Sequence, residues 1–126
     1  MQDNRPVNLD LTKFHFPPMA ILSISHRISG CLLFLAIPFL LYLLCYSLGS
    51  PAQFDRIQYL LHYNAWPKMG VWVALSATAL HLLAGIRHLL MDLGFGESVR
   101  AGKLSAYLVF LCTIVAIVLL GVWIWR

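Results

Sequence analysis

Apolar positions along this chain gather into three long runs rather than into short alternating or amphipathic stripes. Ile28 to Leu48 holds no charged residue, Met69 to Ile86 holds His81 as its one ionisable group, and Leu104 to Trp125 carries no charge. Crossing ~30 Å of hydrocarbon at about 1.5 Å per residue takes about 20 residues. Backbone groups in lipid must bond within their own segment, which makes such runs helices. The pattern predicts an all-α integral membrane protein with three transmembrane helices, over about 20–48, 67–92 and 104–125. Pro38 lies inside the first and is a candidate kink.

The stretches between the runs carry their own signals. Ser50, Pro51 and Gln53 read as an N-cap, a first-turn proline and a capping-box glutamine. Phe54, Ile57, Leu60 and Leu61 follow at helical spacing, so the 50–65 loop is expected to hold a short interfacial helix. Residues 1–18 form a polar arm with apolar punctuation, and Pro17 and Pro18 mark its junction with the first span. Docking on a soluble partner and free solvation both remain open for this arm.

Composition agrees with lipid as the solvent. Hydrophobic residues make up 60% of the 126 positions and charged residues 11%, against roughly 25% charged in soluble domains. The net charge of +4 is not clustered on a polar segment, which argues against nucleic acid as a partner. Cys31, Cys45 and Cys112 all sit within apolar runs without CxxC spacing, and read as small buried side chains rather than zinc ligands or disulfides. The first apolar run is too long for a cleaved signal peptide, and the N-terminus lacks the Arg- and Ser-rich character of a transit peptide, so a bacterial inner membrane is the simplest location. Arg5, Lys13, Arg27, Arg87, Arg100 and Lys103 flank one side of the spans, and Arg56, Lys68 and Arg126 the other. The positive-inside rule therefore expects a cytoplasmic N-terminus, with Trp66, Trp72, Trp123 and Trp125 at the far interface.

Polar groups in or beside a span cost about 2.5–3.5 kcal/mol at the bilayer centre when charged, so each calls for a reason. Ser23, His26 and Arg27 share a face near the start of the first span and make a compact set of donors suited to a carbonyl or carboxylate. Snorkelling of Arg27 to lipid phosphate is the competing explanation. In the second span His81 lies near the middle, His88 two turns on, and Gly85 between them on the same face, leaving room for a flat ligand. Asp92 follows His88 at i+4, where it can hold the ring N–H. A deep neutral imidazole points to a metal, above all haem iron, or to a hydrogen bond with another helix. His81 and His88 lie about 10 Å apart along one helix and cannot take opposite faces of one haem. The other two spans have no histidine in their apolar cores, so a six-coordinate haem requires a partner chain.

The stretches Arg5-Pro-Val-Asn-Leu-Asp-Leu11, Ser23-Ile-Ser-His-Arg-Ile-Ser-Gly30 and His81-Leu-Leu-Ala-Gly-Ile-Arg-His-Leu-Leu-Met-Asp92 together resemble the larger cytochrome b membrane anchor of succinate dehydrogenase (respiratory complex II). The resemblance covers essentially the whole chain. It implies one membrane-anchor domain over 1–126, with 1–18 a cytoplasmic arm that contacts the iron–sulfur subunit and 19–126 the three-helix region. It implies haem b shared with a smaller anchor subunit, and ubiquinone as substrate. It implies electrons arriving from a flavoprotein subunit through the iron–sulfur subunit. By residue match it implies quinone binding at Ser23 and Arg27, axial ligation of haem iron by His81, and haem-propionate contacts from His26, Arg27 and His88, with Asp92 and Gly85 in support. The chain has no flavin fingerprint and no iron–sulfur cysteine cluster, so catalysis by it alone is not expected. A haem b anchor of a fumarate reductase or formate dehydrogenase is the nearest alternative. A small transporter or holin-like protein is the more distant one. The three apolar runs contain no Asp or Glu for a proton-coupled transporter to use.

Overall fold

The computed structural model describes residues 15–126, and the Arg5–Leu11 motif lies outside them. Four helices follow in order: α1 (Pro18–Ser47), α2 (Pro51–Tyr63), α3 (Ala65–Asp92) and α4 (Val99–Trp125). At 30, 28 and 27 residues, α1, α3 and α4 are each long and apolar enough to cross a membrane. The chain is a multi-pass membrane protein with the helix types and order read from its sequence.

Helix ends follow local chemistry. Pro17 and Pro18 open α1, Pro18 sitting where a missing N–H costs nothing. The helix continues unbroken through Pro38. At α2 the Ser50 hydroxyl accepts from the Gln53 N–H at 3.2 Å. The Gln53 side chain returns to the Ser50 hydroxyl at 3.3 Å rather than to its backbone, giving half of the expected capping box. A single extended residue, Asn64, separates α2 from α3. α3 stops in a Schellman motif: Phe95 N–H reaches Leu90 O at 2.9 Å and Gly94 N–H reaches Met91 O at 2.9 Å, with Gly94 at φ +85°. The first turn of α4 lies ahead of the apolar run that begins at Leu104. There the Ser98 hydroxyl accepts from the Ala101 N–H at 3.2 Å and starts a helix that includes Arg100 and Lys103. Hydropathy locates what must be in lipid, whereas a cap locates where the hydrogen bonds begin.

Small side chains set the packing. The core centres on Leu22, Ala84 and Ala106, one from each long helix, bordered by Met19, Leu80, Val109 and Phe110. Ala74 and Ala77 on α3, Gly102 and Thr113 on α4 and Ser29 on α1 are also buried. Lipid supplies no hydrophobic force between helices, so close approach through small residues is what brings them together. Trp72 crosses from α3 to donate its indole N–H to Ile117 O on α4 at 3.1 Å, and its ring meets Trp125 edge-on at 5.7 Å.

Candidate functional site

α1 and α3 run antiparallel, and their crossing places the three histidines of the spans together. His26 projects from α1, and its ring stacks on His81 of α3 with centroids 4.1 Å apart and planes 21° apart. His88, two turns further along α3, meets the His26 ring edge-on at 5.3 Å. Two glycines make room. A Cβ at Gly85 would lie 3.6 Å from His26 Nε2, and a Cβ at Gly30 would lie 3.1 Å from His81 Cε1. The space expected at Gly85 is thus the seat of the His26 ring.

His81 is half-buried and held on one side only. Its Nδ1 lies 3.1 Å from the His26 carbonyl oxygen and 3.1 Å from Ser29 Oγ. The Ser29 hydroxyl donates in turn to the same His26 carbonyl at 2.7 Å. Ser29 itself is 2% exposed. Among the described residues the buried His26 Nε2 has no hydrogen-bond partner, although an orphaned buried nitrogen is costly.

The remaining expected residues take distinct positions. Ser23, half-buried, sits one turn before the exposed Arg27 on α1. These two and His26 lie toward the N-terminal end of α1, beside the α3 half that carries His88. Asp92 is exposed at the last residue of α3, and among the described residues no hydrogen bond joins it to His88. Arg87, adjacent to His88 in sequence, points elsewhere. It is buried against α4, donating from Nε to Ser105 Oγ at 2.9 Å and from Nη2 to Gly102 O at 3.1 Å. A separate cavity of about 320 Å³, lined by Ser25, Ser29, Trp72, Ser76, Leu80 and Ile117 among others, includes neither Ser23 nor Arg27.

Sequence reasoning passed over Ser29 and Gly30. The signal was present in the Ser-Gly pair that ends the first motif, but only the antiparallel crossing shows that both touch His81. Among the described residues the cluster offers three imidazoles and the Ser29 hydroxyl, without a carboxylate. Among the described residues no three His, Cys, Asp or Glu side chains converge to hold a metal ion by themselves.

Residues 1–120 match the family described as succinate dehydrogenase/fumarate reductase transmembrane subunit. The chain is 62% identical over 125 residues, covering 99% of itself and all of the relative, to a succinate dehydrogenase cytochrome b556 subunit of Coxiella burnetii. It is 34% identical over 121 residues, covering 95% of itself and 93% of the relative, to the subunit of the same name from Rickettsia felis. A succinate dehydrogenase cytochrome b560 subunit of Reclinomonas americana is 33% identical over 128 residues, covering 92% of this chain and 86% of the relative.

Proposed function

The chain belongs to the succinate dehydrogenase/fumarate reductase transmembrane subunit family, and on that premise we propose that it is the haem b- and ubiquinone-binding anchor of a succinate dehydrogenase. It is a subunit of an enzyme complex and does not catalyse alone. The observation that carries this reading is the His81 site. A half-buried imidazole in an apolar span is fastened through Nδ1 and clusters with His26 and, through it, His88.

The residues present fit a haem. His81 would hold the haem iron, and a further ligand would come from the smaller anchor subunit, since His26 and His88 are packed together with His81. The buried, unpartnered His26 Nε2 gains an acceptor if a propionate lies beside it. His88 and the exposed Arg27 complete a set of donors for carboxylates. When bound, haem supplies a one-electron redox centre, its potential set by the axial ligands and their surroundings.

Ser23 and Arg27 serve the quinone. The Ser23 hydroxyl donates to a quinone carbonyl, and the Arg27 guanidinium stabilises negative charge that develops on a quinone oxygen during reduction. Both stand toward the end of α1 that the positive-inside rule assigns to the cytoplasm, where an iron–sulfur subunit delivers electrons. His81 is deeper along the span. The iron–sulfur subunit, the smaller anchor and, through the former, the flavoprotein subunit are the partners.

The test is a reduced-minus-oxidised visible spectrum of the complex purified through this chain, wild type beside His81→Ala. A b-type signal that is lost or clearly altered in the variant supports the reading, and a wild-type complex without haem overturns it. Arg27→Ala is expected to lower quinone reduction while succinate oxidation by a soluble dye survives. Equal loss of both activities would mean failed assembly and no specific quinone role.

A further inference from the structure

We infer that Ser29 is a positioning residue for His81. With the His26 backbone carbonyl, it fixes which ring nitrogen carries the proton and how the ring is turned. This inference rests on the reading of His81 as an iron ligand, and it concerns the opposite edge of the ring.

Counting protons assigns the tautomer. A carbonyl oxygen only accepts hydrogen bonds. His81 Nδ1 sits 3.1 Å from the His26 carbonyl oxygen, where a lone pair on Nδ1 would face the carbonyl lone pairs. Nδ1 therefore carries the proton. Ser29 has one hydroxyl proton, and its 2.7 Å bond to the His26 carbonyl uses it. Its oxygen is then free to accept from His81 Nδ1 at 3.1 Å. The three groups close a small ring in which each proton has an acceptor, and Nε2 is left with its lone pair outward. A neutral imidazole with Nδ1–H bonded and Nε2 free is the state that binds a metal.

The arrangement also fixes the ring plane. Two acceptors on α1, the His26 carbonyl oxygen and Ser29 Oγ, grip one edge of the imidazole, while the His26 ring stacks on its face at 4.1 Å. Ser29 is 2% exposed, so bulk solvent does not reach its hydroxyl. Ligand orientation is thus built on α1, although the ligand belongs to α3.

The test uses the whole complex and the paired substitutions Ser29→Thr and Ser29→Val, which add the same bulk and differ in the hydroxyl. Ser29→Ala is run beside them. The readouts are the low-spin electron paramagnetic resonance signal, the position of the reduced α-band and the haem midpoint potential. Ser29→Thr is expected to keep the wild-type signature. Ser29→Val is expected to retain haem with a displaced low-spin signal and a higher potential, because loss of the Oγ acceptor makes His81 a weaker electron donor. Ser29→Ala is expected to follow Val. Identical signatures for Thr and Val, in complexes that both hold haem, would overturn the inference. Haem whose signature is unchanged by His81→Ala would overturn the ligand assignment instead.

Discussion

Gly30 gives the sharpest test of how tightly α1 is built around His81. A methyl group added there would lie 3.1 Å from His81 Cε1 and 3.5 Å from Nδ1, where carbon atoms are comfortable at about 3.5–4.0 Å. In Gly30→Ala the ring must retreat from α1 by about 0.4 Å to reach that range. The same movement stretches the two Nδ1 contacts from 3.1 Å to the edge of hydrogen-bonding distance. Losing most of one such bond costs about 0.5–1.5 kcal/mol, and turning the ring off its rotamer costs a similar amount. Replacing a mid-helix glycine by alanine returns about 1 kcal/mol through helix propensity. Stability of the assembled protein should therefore change little, while the geometry of His81 changes measurably. The expected result is a complex with normal subunit content whose haem has an altered low-spin resonance and a displaced α-band. Gly30→Val places a branched side chain where a few tenths of an ångström are not enough, and should lose haem. A Gly30→Val complex with wild-type haem content and spectrum would refute the contact between Gly30 and the His81 ring.

Substitutions at three further positions separate structural from functional polarity. Arg87→Met should accumulate in membranes at close to the wild-type level. It forfeits two hydrogen bonds worth about 0.6 kcal/mol each in a membrane, but leaves no orphan, because Ser105 already donates to Gly102 O at 3.1 Å. Arg87→Glu, which sets a carboxylate against those acceptors, should fail to accumulate, and comparable immunoblot levels of the two variants would contradict the placement of Arg87. Trp72→Phe removes the bond to Ile117 O and should lower the thermal midpoint of the detergent-solubilised complex by an amount corresponding to about 1 kcal/mol, with haem content unchanged. Ser50→Ala deletes the α2 cap, worth about 1 kcal/mol, and should raise amide exchange at Ala52 and Gln53 without altering exchange in α1, α3 or α4.

The parts of this molecule that were legible in its sequence are those in which one helix decides alone. A span must be apolar along its length, so the three runs announced α1, α3 and α4. Ser50-Pro51-Gln53 announced α2 because capping is local. The common face of His81, Gly85 and His88 followed from helical periodicity. What depended on two helices was not legible. Arg87 follows the same periodicity as its neighbours, yet its destination is set by a glycine carbonyl and a serine on α4. Ser29 looked like an incidental hydroxyl until α3 was laid against it. The two histidine motifs nevertheless contained the information jointly. Two of the spans hold a histidine followed by glycine four residues later, His26 with Gly30 on α1 and His81 with Gly85 on α3. In antiparallel helices such pairs interlock: His81 enters the notch at Gly30, and His26 enters the notch at Gly85. Either pair alone is compatible with many faces and partners. Read together, with the chain direction reversed between spans, they specify the register of α1 on α3 and bring the imidazoles into stacking contact.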